Sequence, residues 1–266
     1  MGQTLVIAEK PSVAGDIARA LGGFKKDGDF WVSDAMIVGS AVGHLLEIKA
    51  PEEYDVKRGR WSFANLPVLP PHFDLQPIKK SIKKFEGLEK KIRSRSVTDI
   101  INACDAGREG ELIFRYIIQA TGTKKPIRRL WLQSMTKASI QKAFTALRSD
   151  AEMKPLEAAA RSRSEADWLV GINGTRALTA FNSKDGGFFL TTVGRVQTPT
   201  LAIVVAREEE ITHFKPQNYW EVHATFGAQA GDYDSVWVDA DFKKTKGQSA
   251  ELKPERLWTC LLYTSP

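Results

Sequence analysis

Glu9, Lys10, Asp105, Arg108, Glu109 and Glu111 have the residue types and spacing that suit chemistry on a phosphate. The last four fall in the run IINACDAGREGELIF, residues 100–114. Val97, Ile100, Ile101 and Ala103 suit a short buried strand, and Leu112, Ile113, Tyr116 and Ile117 recur at helical spacing. The charges therefore sit on a strand-to-helix turn, which in an open α/β sheet lies at the carboxyl edge where ligands bind. Glu9 ends a second apolar run, TLVIAEK, so folding can bring it beside Asp105. A carboxylate cluster there suits Mg²⁺, a hard cation that takes oxygen ligands and keeps waters beside substrate phosphates. Glu9 and Asp105 would supply its ligands, with the positive end of the helix that begins near Arg108 turned to the same place. Plain helix capping by Asp105 and Glu109 is the alternative.

Lys10 follows Glu9 and is placed to hold a phosphate beside the metal, or else is a solvated lysine. His44 in SAVGHLLEI lies just past a strand, as a turn residue or as a further phosphate contact. VGRVQTPT, residues 193–200, sets Arg195 and Gln197 ahead of a helix start marked by Thr198 and Pro199, a place that favours anions. Arg161, Arg163 and Arg176, with Trp168 among them, suit a groove for a single strand, although Trp168 among Leu169, Val170 and Ile172 also reads as core. No GxxxxGK[ST] loop and no GxSxG elbow occurs, so nothing points to ATP-driven work or a serine hydrolase.

The elements that position these residues follow from periodicity. Pro11 opens a helix through Val13, Ile17 and Leu21, which Gly22 and Gly23 stop. AMIVGSAV, residues 35–42, reads as a strand, and residues 44–77 form a long Pro-rich, aromatic excursion. Residues 78–94 make a basic amphipathic helix with Ile78, Ile82, Phe85, Leu88 and Ile92 on one face. Residues 97–134 read as a β-α-β unit, and Thr136 caps a further helix through Ile140, Phe144 and Leu147. From Pro155 the texture is helical, and after 217 NYWEVHATF and SVWVDADF alternate as strands. The expected domains are 1–150 (α/β), 151–216 (mainly α-helical) and 217–257 (the start of a β-rich piece), with 258–266 a tail of doubtful origin, either an element cut short inside a domain or residues foreign to the protein.

At 266 residues the chain has room for about two domains. With 42% hydrophobic and 26% charged residues it is globular in composition, with no apolar run of membrane-spanning length and no signal pattern at its start. A cytoplasmic location is the expectation. Cys104 and Cys260 alone exclude a disulfide framework and a Cys-rich zinc site within the chain. A net charge of +6 is compatible with a polyanionic partner.

Taken in order, VIAEKPSVA, CDAGREGELIFR, ADWLVGINGTRALT and VGRVQTPTLAIVVAREEEI resemble the type IA DNA topoisomerases, and within them the bacterial topoisomerase III group. The likeness covers residues 4 to about 212. It implies a Toprim α/β domain, a mainly α-helical DNA-groove domain and the start of the β-rich arch around the DNA gate. It implies a monomer acting on single-stranded or negatively supercoiled DNA, with Mg²⁺ and without ATP. In that family a tyrosine breaks one strand, forming a 5′-phosphotyrosyl link, and the strand is resealed after another has passed. Glu9 matches the family's acid/base residue and Lys10 its phosphate-stabilising lysine; Asp105 and Glu109 match metal ligands. Arg195 and Gln197 match the DNA-contacting motif, and His44, Arg108, Arg163 and Arg176 complete the expected DNA contacts.

Two features depart from the family. Many relatives have Asp-x-Asp where this chain has Asp105-Ala106-Gly107, so one carboxylate is replaced by glycine. The family nucleophile lies in a hydrophobic-Thr-Tyr-Pro-Arg context, which Tyr263 in LLYTSP lacks; Tyr54, Tyr116, Tyr219 and Tyr233 fit no better. The expectation is an N-terminal fragment that binds metal and single strands without cleaving. The alternatives are a non-cleaving single-strand-binding module and another Toprim enzyme, a primase or nuclease.

Overall fold

The computed structural model describes residues 2–53, 61–243 and 252–258. Tyr54, Cys260, Tyr263 and the tail beyond Trp258 lie outside the described residues. In chain order the elements are β1 (Gln3–Ala8), α1 (Pro11–Leu21), β2 (Lys25–Asp27), β3 (Phe30–Val32), β4 (Met36–Ser40), β5 (Leu46–Ile48), β6 (Leu75–Pro77), α2 (Ile82–Arg93), β7 (Val97–Ala103), α3 (Arg108–Thr121), β8 (Ile127–Arg129), α4 (Lys137–Thr145), β9 (Arg148–Ser149), α5 (Asp150–Asn182), α6 (Gln197–Thr212), β10 (His223–Ala228) and β11 (Gly231–Val236).

Seven strands form one sheet in the order β2-β3-β4-β1-β7-β8-β9. Its centre, β4-β1-β7-β8, is parallel, and antiparallel strands close both edges. Because successive strand residues face opposite ways, β1 sends Leu5 and Ile7 to one core and Val6 and Ala8 to the other. The first core is roofed by Phe85, Leu88 and Ile92 of α2 and Leu112, Ile113 and Tyr116 of α3. The second is roofed by Ala14 and Ile17 of α1 and Ile140 of α4. Leu5, Ile7, Ile17 and Ile100 are fully buried, each contributing roughly 2 kcal/mol of transfer free energy. Parallel strands covered on both faces explain why β1 and β7 read as nearly continuous apolar runs.

β1 runs into α1 on one face and on to β4, whereas β7 runs into α3 on the other face and on to β8. The two chain paths diverge where β1 and β7 end side by side, with Ala8 opposite Ala103. That divergence leaves the crevice in which open α/β sheets bind ligands.

Residues 1–199 form one compact unit and 200–266 a second. α5 belongs to the first. It starts at Asp150, earlier than the expected Pro155, because Ser149 and Glu152 make a reciprocal capping box. It packs on α3 through Arg115, which reaches Asp150 at 2.7 Å and Glu157 at 3.2 Å, and through Tyr116, whose hydroxyl donates to Ser164 at 2.9 Å.

In the second unit β10 and β11 pair as a hairpin, and Trp220 bridges Leu257. Here the strands differ from expectation: only Ser235 and Val236 of SVWVDADF are in a strand, since the turn falls at Gln229 and Ala230 and puts Gly231 at the start of β11. Trp258, the first residue of the tail of doubtful origin, packs its ring 5.6 Å from that of Tyr219. Among the described residues no helix is long and apolar enough to cross a membrane.

Candidate phosphate and strand-binding site

Glu9 and Lys10 follow directly on β1, and Asp105 lies two residues past β7. Lys10 Nζ donates to Asp105 Oδ2 at 3.2 Å and lies 3.7 Å from Glu9 Oε1. The Asp105 backbone N–H donates to Glu9 Oε2 at 3.4 Å. The hydrogen bond it donates to Asp105, and then the charges of Asp105 and Glu9, hold the Lys10 ammonium above its usual pKa, so it stays protonated. Glu9 is buried while Lys10 and Asp105 are exposed, which leaves a charged edge open to a ligand.

The chain opposite is bent to meet Glu9. Its carbonyl accepts from Val42 N at 2.7 Å and Gly43 N at 3.1 Å. This turn puts Val42 at φ 74°, a region that β-branched residues rarely adopt. It delivers His44, whose Nε2 meets Glu109 Oε1. The expected metal set is therefore divided: Glu9 and Asp105 converge on the Lys10 ammonium, whereas Glu109 turns to His44. Among the described residues no group of three or more Asp, Glu, His or Cys side chains gathers as a metal cluster. Two converging carboxylates that already share one cation still fit Mg²⁺, which is commonly held by one or two carboxylates with waters and phosphate completing its shell.

Gly107 has φ 171°, extended backbone open to any residue, and a Cβ added there meets nothing within 4 Å. A carboxylate at this position has room. Gly107→Asp is expected to tighten Mg²⁺ binding several-fold by calorimetric titration; an unchanged affinity would show that this position does not tune the site.

Beneath the edge lies a buried polar network that the sequence reading located only through Glu111. Glu111 is fully buried and accepts from Arg115 Nε at 2.7 Å and from Asn102 Nδ2 at 3.0 Å. Arg129, also buried, lies 3.5 Å from Glu111 and donates to the carbonyls of Asn102 (3.1 Å), Cys104 (2.7 Å) and Asp105 (2.7 Å) and to Asn102 Oδ1 (2.9 Å). An arginine inside the otherwise strand-like PIRRLWLQS was the signal for it, since a buried cation requires an acidic partner. Burial pushes the Cys104 thiol far up, which makes it inert.

The expected DNA contacts fall into three groups. Arg163 and Arg195 meet at Asp167, at 3.7 Å and 2.8 Å, and stay about two-fifths exposed; Gln197 begins α6 beside them. Arg108 is exposed at the start of α3 and makes no ion pair among the described residues. Arg176, expected as a further DNA contact, is buried, paired with Glu52 at 2.6 Å, with its guanidinium 5.2 Å from the Trp61 ring. Its charge is neutralised inside the fold. Trp168 is likewise tied down, donating to the Lys49 carbonyl at 3.2 Å and standing edge-on to Phe73. A cavity of about 500 Å³ begins at His44 and runs past Gln76, Tyr116 and Ser164 to Trp168.

An acidic pair bridged by lysine at the switch point of a parallel sheet, with a long helix carrying arginines beside it, defines a Toprim-type α/β domain joined to a helical arm. A Toprim domain model matches residues 4–135, and a DNA topoisomerase model matches residues 151–257. The chain belongs to the type IA DNA topoisomerase family. It is 42% identical over 258 residues to DNA topoisomerase 3 of Bacillus anthracis, which covers 97% of this chain and 34% of that protein. It is 44% identical over 223 residues to DNA topoisomerase 3 of Staphylococcus aureus, covering 84% and 31%. The chain thus spans about a third of the length of these curated relatives. The solved full-length topoisomerase I of Thermotoga maritima shares the fold, with a TM-score of 0.56 and 22% identity over 90% of this chain and 35% of that one.

Proposed function

We propose that this chain is the metal- and strand-binding part of a topoisomerase that breaks one DNA strand transiently, lets another pass and reseals the break without ATP. The observation that carries this reading is the Lys10 ammonium held between Glu9 and Asp105 at the ends of two adjacent parallel strands. In that role Lys10 contacts the scissile phosphate while a tyrosine oxygen, its proton passing to water, bonds to phosphorus and the bond to the 3′ oxygen breaks, with Glu9 relaying a proton from water to the departing oxygen. Mg²⁺, held by Glu9 and Asp105 with Glu109 joining once it leaves His44, would neutralise phosphate charge. Residues 1–150 would be the Toprim part, 151–216 the strand groove and 217–257 the beginning of the arch.

The nucleophile would come from outside this chain. Tyr116 is buried, its hydroxyl is engaged with Ser164, and burial raises its pKa; Tyr219 and Tyr233 lie in the β piece. Mixing the chain with Mg²⁺ and single-stranded oligonucleotide is therefore expected to give binding and no covalent adduct, as the binding-module alternative also requires. A denaturing gel separates that result from metal-dependent hydrolysis, which would favour a nuclease.

The groove is tested by salt. Arg163→Ala and Arg195→Ala are each expected to weaken single-strand binding and to flatten the log–log salt dependence by roughly one unit. Fluorescence anisotropy at several salt concentrations measures this, and unchanged slopes in both variants would refute the assignment of Arg163 and Arg195 to phosphates.

A further inference from the structure

We propose that Arg129 is a positioning residue for the metal-binding edge, fixing where the Asp105 carboxylate points. The inference rests on the reading of Glu9 and Asp105 as magnesium ligands. Asp105 lies beyond the last ladder pair of β7 with β1, Ala8 opposite Ala103, so no strand neighbour fixes its backbone. Two side chains do so instead. Glu9 Oε2 accepts its N–H at 3.4 Å, and Arg129 Nη2 donates to its carbonyl at 2.7 Å. The peptide groups on both sides of the Asp105 Cα are thereby held.

The guanidinium fork extends the grip. Nη1 takes the carbonyls of Asn102 and Cys104 and the side-chain oxygen of Asn102, and that same oxygen accepts from Cys104 N at 3.0 Å. A planar fork with several fixed donors can hold this curved row of oxygens, and a lysine point charge cannot. Arg129 is 1% exposed and is itself set by Glu111, which Arg115 links to Asp150 and Glu157 of α5. The strand end is thus braced from the helical arm, leaving the Asp105 carboxylate, paired with Lys10, at the end of a held turn. Partners of this kind, one step behind a ligand, typically change metal affinity ~10–100-fold when lost.

The test is Mg²⁺ affinity of the whole 266-residue chain by calorimetric titration, read beside oligonucleotide binding in metal-free buffer. Arg129→Lys is expected to weaken Mg²⁺ binding about tenfold and to leave metal-free strand binding within about twofold. Asn102→Ala, which keeps both buried charges but removes one anchor of the fork and one donor to Glu111, is expected to give a smaller loss in the same direction; it carries the test if Arg129→Lys does not fold. Unchanged Mg²⁺ affinity in either folded variant overturns the proposal. So does an equal loss of strand binding, which would mark Arg129 as a general prop of the fold. Asp105→Asn separates the premise: if it binds Mg²⁺ as well as the parent chain does, the metal reading itself fails.

Discussion

Alanine at position 110 is expected to cost about 3 kcal/mol of stability, at the upper end of overpacking effects, and to lower the thermal midpoint by roughly 6–12 °C. A Cβ built on Gly110 stands 2.3 Å from the Asp105 carbonyl oxygen and 2.7 Å from its nitrogen. Both are backbone atoms, so no side chain can swing away, and either the first turn of α3 or the strand end must move. The strand end is the part that Arg129 and Glu9 hold fixed. Gly107→Ala is the control, since a Cβ there meets open space. Thermal melts followed by circular dichroism decide the matter, and a Gly110→Ala chain melting with the parent would show that the approach of α3 to Asp105 is not tight.

Glu111→Ala is expected to destabilise the chain by about 3–5 kcal/mol, the usual cost of removing one partner from a buried ion pair. The carboxylate is fully buried and is the only acid within reach of Arg129 among the described residues. Arg115 keeps Asp150 and Glu157, so most of the cost falls on Arg129. Asp99 supplies the contrast: its partner Arg128 is half exposed, and Arg128→Ala is expected to cost at most about 1 kcal/mol. Urea unfolding gives both values. A loss below that of Arg128→Ala would mean that the Glu111 network is not a buried electrostatic unit.

The parallel centre of the sheet was legible because both its faces are covered, which gives β1, β4 and β7 nearly continuous apolar runs at residues 5–8, 37–38 and 100–101. The α1 and α4 boundaries were legible through Pro11 and Thr136, the latter accepting from Ser139 N. The β2–β3 hairpin was missed, although Gly28-Asp29 between KKD and FWV is a two-residue turn signal. β2 is exposed throughout and shows no alternation to read.

At the site, strand ends sufficed to bring Glu9, Lys10 and Asp105 together. Spacing was silent on Glu109, because at a helix start one residue of rotation decides between the edge and His44. Arg176 illustrates the opposite limit. An arginine on a helix face looks the same in sequence whether it meets solvent or Glu52, and the partner lies 124 positions away.

Cys104 lies one residue before Asp105, 3% exposed, with its thiol donating toward the Ile7 carbonyl. Burial suppresses the thiolate that alkylating reagents require. Modification at this position must therefore wait for the end of β7 to come away from β1. Its labelling rate is a built-in clock for that opening, reporting how often the carboxylate edge comes apart without any probe being introduced.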